Sequence, residues 1–183
     1  WLCQHLTLLP MRVKTTAEGS LQTSSVGRLF DAVAALLGLK AKQSFEGEVA
    51  MQLEALGRHY FRRNGIDRLT AYPWGQEQGM APTAAFLAAV LDDIRQGLPK
   101  DEIAARFHWT LAEVVLRVAR AGGYRRIGFS GGVFQNSLLV DLLELRLGKE
   151  FRLFFHRELS PNDENVSFGQ LIVGEFLMFG GNA

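Results

Sequence analysis

The sequence has a single cysteine, Cys3, in 183 residues. An intrachain disulfide is therefore excluded, and the composition fits a reducing, cytoplasmic setting. Cys3 has no evident activating neighbour besides His5 and reads as inert. Excess charge is missing too: 20 Lys and Arg against 19 Asp and Glu leave a net charge of +1. Neither the basic footprint of a nucleic-acid binder nor a membrane-surface patch follows from such a charge, and neither partner is expected. No apolar run approaches the roughly 18 residues of a membrane-crossing helix, and no signal-peptide pattern opens the chain. Internal repeats and low-complexity tracts are absent. His5, His59, His108 and His156 show no metal-ligand spacing, and no Ser-His-Asp set or nucleophile elbow is visible. The chain opens on Trp1 rather than methionine and is read as a piece of something longer.

What is present is an ordinary globular composition, 48% hydrophobic and 21% charged. The length suffices for one domain with a core, or for two small subdomains. Residues 13–25 are small and polar and read as a loop, with Ser25 as the N-cap of an amphipathic helix over 26–38. A loop at 40–44 leads to a second helix over 46–63, which exits at Asn64-Gly65. Residues 66–81 are irregular, with one short strand expected at Leu69–Tyr72. Helices follow over 83–96 and 99–121, with Pro99 in the first turn of the latter. The texture then changes. Residues 124–129 and 151–155 read as strands, and 135–147 and 166–178 as helices. A β-α-β-α ending implies parallel strands joined by a crossover helix. The fold class is α/β: a helical part over about 22–121 and an α/β part over about 122–183, within a single domain.

Three features stand out chemically. The first is FSGGVFQN, from Phe129 to Asn136, where a strand hands over to a helix. Ligands of open α/β sheets bind just outside strand carboxyl ends, and a helix start there presents free N–H groups. Gly131 and Gly132 let a phosphate or ribose approach the backbone, and Asn136 can hydrogen-bond a ligand. A tight turn needing positive φ explains the same glycines. The second is Asp31, off the apolar face of its helix, in a stripe with Gly27 and Ala35. Small neighbours admit a close helix or a ligand with hydroxyls; a solvated outer face is the other account. The third is the loop SPNDENVSFGQ after the second strand: Asn162, Asp163 or Asn165 caps the last helix, or Asp163 stands at a second strand end near the SGG step of a parallel sheet and serves a hard cation or a metal–phosphate assembly. His108, between Phe107 and Trp109, reads as a satisfied histidine of the core or near the surface, and Arg58, Arg62 and Arg63 as a solvated helix face.

Residues 23–39 (TSSVGRLFDAVAALLGL), 44–56, 129–139 and 160–170, with RFHWTLAEVV at 106–115, resemble the C-terminal part of the HypF family of carbamoyltransferases. The resemblance is collinear from about residue 22 to 178. It implies one lobe of an actin- and Hsp70-like (ASKHA) ATPase fold, related to the tRNA threonylcarbamoyl-transferases. It implies use of carbamoyl phosphate and ATP with Mg to make carbamoyl adenylate. The carbamoyl group then passes to the C-terminal cysteine of HypE in [NiFe]-hydrogenase maturation. By family pattern Asp31 stands at the nucleotide ribose, with Gly27 beside it. Gly47, Gly131, Gly132 and Asn136 line the nucleotide, and Asp163 completes a site for a divalent metal, iron or zinc. The family's metal-binding histidines lie upstream and have no counterpart here, so upstream HypF domains and HypE are the expected partners. The usual Gly-Gly after the metal aspartate is Glu164-Asn165 in this sequence. A non-catalytic docking lobe for HypE or an upstream HypF lobe is the alternative.

Overall fold

A computed structural model describes residues 25–39, 44–67, 69–74 and 83–179. The expected loops at 13–25 and 40–44, most of the irregular stretch beyond Trp74, Cys3 and His5 lie wholly or largely outside the described residues. Backbone contacts divide the chain into two compact units, Trp1–Val114 and Val115–Ala183. The division falls inside a helix, a few residues before the expected join of the helical and α/β parts. No helix among the described residues is long and apolar enough to cross a membrane.

The first unit is helical. Helices α1 (Val26–Leu36), α2 (Glu48–Asn64), α3 (Thr83–Arg95) and the first part of α4 (Lys100–Ala121) build it. On α1, Leu29, Phe30, Val33 and Leu37 recur at helical spacing, so one stripe is apolar and becomes buried. That stripe packs on α2 and α3. Phe30 meets Phe107 of α4 edge-to-face, centroids 4.7 Å apart, and Phe107 lies 5.7 Å from Phe86 of α3. These rings, with Leu53, Val90 and Ile103, form a fully buried centre. Burying a side chain of this size contributes about 1.5–3 kcal/mol, which explains why α1 forms although Ser25 makes no capping bond through its side chain.

The expected strand at Leu69–Tyr72 is not formed; residues 69–74 run without regular structure. Side chains replace a strand partner here. The Tyr72 N–H donates to Thr110 Oγ1 at 2.9 Å, and Tyr72 Oη donates to Asp93 at 2.6 Å. Arg106 donates to Asp93 from the other side and to the Thr70 carbonyl at 3.3 Å, with its guanidinium 4.2 Å above the Tyr72 ring. This polar clasp holds the segment onto α3 and α4. Burial and the adjacent Asp93 push the Tyr72 hydroxyl far up from its ordinary pKa, so it remains a donor.

The second unit contains β1 (Arg126–Gly128), α5 (Ser137–Leu147), β2 (Arg152–Phe154) and α6 (Val166–Phe179). The strands pair in parallel, Arg126 with Arg152 through Gly128 with Phe154. This is the expected β-α-β crossover with shorter strands: each keeps only the residues that have a partner. Leu138, Leu139, Leu142, Leu143 and Leu147 bury the inner face of α5. The Phe129 and Phe155 rings stack at 4.5 Å and 9° just beyond the paired residues. Arg120 at the end of α4 holds Glu150 after α5, with Nε 2.9 Å from Oε2. That donor keeps the Glu150 carboxyl below its usual range.

Candidate functional site

The two strands end together, and so do the loops that follow them. The strand register pairs residues 26 apart in sequence, and carrying it two residues further sets Ser130 beside His156. FSGG and SPNDEN are therefore neighbours at the carboxyl end of the sheet. Gly131 N–H donates to the Pro161 carbonyl at 2.7 Å, and Gln135 Nε2 to Ser160 Oγ at 3.4 Å. The parallel sheet expected from the sequence already sets both loops at neighbouring strand ends; the register supplies the hydrogen bonds that join them.

Gly131 has φ +115, a conformation that side-chain-bearing residues rarely adopt. The space where its Cβ would stand is open for 4 Å, so backbone geometry and close approach both favour glycine there. The turn and ligand accounts of this step are thus compatible. Its N–H, however, is already used by Pro161, and the N–H groups of Phe134 and Asn136 are used by the Gly131 and Val133 carbonyls. Gly132 lies in a 3-10 turn, Gly132–Gln135, that precedes α5. The expected helix at 135 accordingly starts two residues later.

Asn136 is the N-cap of α5, not a member of its first turn. Its Oδ1 accepts from Leu139 N–H at 2.9 Å, and the residue is only 8% exposed. One side-chain oxygen therefore closes the helix start, in the manner of any Asn cap.

Asp163 stands exposed in a second 3-10 turn, Asp163–Asn165, which runs directly into α6. The cap of that turn is Asn162, whose Oδ1 accepts from Glu164 N–H at 3.1 Å. Among the described residues no three His, Cys, Asp or Glu side chains gather as metal ligands. A single carboxylate does not make a zinc or iron site, which needs several ligands. Asp163 can at most contribute one.

Asp31, Gly27 and Gly47 belong to the first unit. Asp31 is half-buried on α1 and pairs with Arg28 one turn earlier at 3.3 Å. Gly27 is exposed beside Ser25, in the first turn of α1. Gly47 is the N-cap of α2 with φ 83, and the space beside its Cα is open. The Ser44 N–H donates to Glu48 Oε2 at 2.6 Å and shapes this EGE step. Gly47 and Gly131 combine positive φ with open space, as do Gly65, Gly97 and Gly123 at helix ends, so what distinguishes Gly131 is its place at the strand ends.

His108 is fully buried, which decides for the core over the near-surface alternative. Its Nδ1–H donates to the Ala104 carbonyl at 2.8 Å. Burial pushes its pKa down to about 4 from the ordinary 6.5, against the opposing pull of that carbonyl and of Glu54. Sequence reading passed over His156, which sits with Ser130 and Asn165 at the strand ends. The signal was available in the strand register, not in any histidine spacing.

Residues 4–170 match the family model described as carbamoyltransferase, Kae1-like domain, second subdomain. Carbamoyltransferase HypF of Synechocystis sp. is 32% identical over 158 residues, covering 82% of this chain and 19% of that protein. Carbamoyltransferase HypF of Rhodobacter capsulatus is 35% identical over 156 residues, again 82% of this chain and 19% of the relative. The chain thus spans about a fifth of the length of these curated relatives. Among solved structures, a full-length HypF in its phosphate- and nucleotide-bound form aligns with TM-score 0.72 and 28% identity, over 87% of this chain and 25% of that one. HypF of T. kodakarensis aligns with TM-score 0.72 and 26% identity, over 89% and 21%. With its helical first unit, its small parallel sheet and a match over nearly its whole length, the chain belongs to the HypF carbamoyltransferase family and corresponds to that protein's C-terminal lobe.

Proposed function

We propose that this lobe, in the actin- and Hsp70-like (ASKHA) ATPase fold, supplies part of the nucleotide-binding cleft of a HypF-type carbamoyltransferase. The parent reaction uses carbamoyl phosphate and ATP, passes through carbamoyl adenylate, and carbamoylates the C-terminal cysteine of HypE. The observation that carries this reading is the joining of the two loops at the carboxyl end of a parallel sheet, with an open glycine step at Gly131. The relative solved with phosphate and nucleotide bound supports it. In this reading Asp31 accepts hydrogen bonds from ribose hydroxyls. The backbone at Gly131 and Gly132 admits the nucleotide closely, and the Asn136 amide reaches it from the α5 cap; the family resemblance gives Gly47, within the first unit, a nucleotide-lining role. Such groups accelerate transfer by holding the reacting carbonyl in place and by stabilising developing charge, without a protein nucleophile. Asp163 gives one ligand to a metal whose other ligands lie upstream, and no step here depends on it.

Calorimetry with ATP tests the reading. The chain is expected to bind ATP weakly, Asp31→Ala more weakly, and carbamoyl transfer to HypE to require the rest of the enzyme. Equal affinity of Asp31→Ala and wild type refutes the ribose role.

A second reading has its own support. Helix α6 exposes Leu171, Ile172, Phe176 and Leu177, the last at 75%, together with Val166, Phe168, Val173 and Met178. A helix apolar all round is ordinarily covered. Docking against upstream HypF domains is the role this face fits, and it accompanies the nucleotide reading rather than replacing it.

A further inference from the structure

The hydrogen bonds at the strand ends have a direction. Asn165 Nδ2 donates to the Ser160 carbonyl, which can only accept, so the nitrogen end of the amide is identified. The same Nδ2 lies 3.3 Å from His156 Nδ1. Nδ1 must then accept, and the imidazole proton sits on Nε2. That Nε2–H faces Ser130 Oγ at 3.1 Å. A hydroxyl that accepts from one side keeps its own proton for another partner. Among the described residues no acceptor takes it. The Ser130 hydroxyl is exposed, next to the open step at Gly131.

We propose that His156, oriented by Asn165, is a positioning residue that turns the Ser130 hydroxyl outward as a donor to an anionic phosphoryl oxygen at the strand ends. This rests on the nucleotide reading above. Without His156, Ser130 can rotate and donate elsewhere, and the ordering that favours the ligand is lost. The role needs no charge on the imidazole, only its tautomer.

Two measurements test it on the 183-residue chain. Long-range proton–nitrogen NMR at alkaline pH should show His156 protonated on Nε2, and Asn165→Gly should mix the tautomers. A proton on Nδ1 in wild type overturns the proposal without reference to any ligand. ATP titration then examines the coupling. Ser130→Ala should weaken binding about tenfold, the scale of one hydrogen bond. His156→Ala should weaken it by several-fold in wild type and by nothing further in the Ser130→Ala background, because it acts through that hydroxyl. His156→Gln, which retains a donor, should recover part of the loss. Equal loss from His156→Ala in both backgrounds refutes the positioning role, since a structural effect would add independently. Absence of ATP binding by wild type overturns the nucleotide reading and the proposal with it.

Discussion

The buried histidine of α4 gives the sharpest stability prediction. His108 is fully buried among Phe30 and Phe107, whose ring centroids lie 5.3 and 5.4 Å away. Its folded pKa is about 4 against an ordinary 6.5. The sign follows from that order. Above pH 6.5 neither the folded nor the unfolded chain protonates this site, and the stability associated with the neutral imidazole is fully present. As pH falls below 6.5 the unfolded chain takes up a proton that the folded one refuses, so stability drops until the folded pKa near 4 is passed. Each pH unit in that window costs about 1.4 kcal/mol, which amounts to about 2 kcal/mol by pH 5 and about 3 kcal/mol in full. Urea denaturation followed by tryptophan fluorescence at pH 7.5 and 5.0, in wild type and His108→Gln, isolates this contribution, because other titrating groups cancel in the double difference. The wild type should lose about 2 kcal/mol more than the variant between those two pH values. An equal loss in both would refute the claim that His108 stays neutral in the core.

Other consequences concern the clasp and the strand-end loops. Asp93→Ala leaves Tyr72 Oη and Arg106 without their buried acceptor; it should cost about 3 kcal/mol, read as a shifted urea midpoint. Tyr72→Phe, which retains the ring, should cost about 1 kcal/mol. Asn136→Asp preserves an oxygen for the Leu139 N–H and should retain thermal stability, whereas Asn136→Ala should lose about 1 kcal/mol. A fall in ATP affinity for Asn136→Asp would then assign the amide to ligand binding, and unchanged affinity would confine Asn136 to capping. Gly131→Ala forces a side chain into φ +115 and should cost on the order of 1–3 kcal/mol by calorimetric melting. An unaffected melting temperature would show that this turn is free to relax.

The elements most legible in the sequence were those set by near neighbours. The apolar stripe Leu29, Phe30, Val33 and Leu37 and the glycine after it marked α1 closely, with the helix ending at Leu36 instead of 38. The SGG step was legible as a strand-to-helix junction because its glycines and the flanking apolar segments lie within a few residues. Leu69–Tyr72 misled because β propensity says nothing about partners. Thr110 and Asp93, which hold that segment, lie 38 and 21 residues away from Tyr72.

By itself the sequence determined the helical front, the β-α-β-α ending and the residue types at both strand ends, since 3.6- and 2-residue periodicities and glycine punctuation are local properties of the chain. Tertiary structure alone decided the register of that parallel pairing, an offset of 26 residues between β1 and β2. From that register follow the stacking of Phe129 on Phe155, the bond from Gly131 to Pro161, and the meeting of Ser130, His156 and Asn165. The physical reason is that a parallel register is a long-range pairing, fixed by the crossover helix and its buried leucines, and no residue near either loop encodes it.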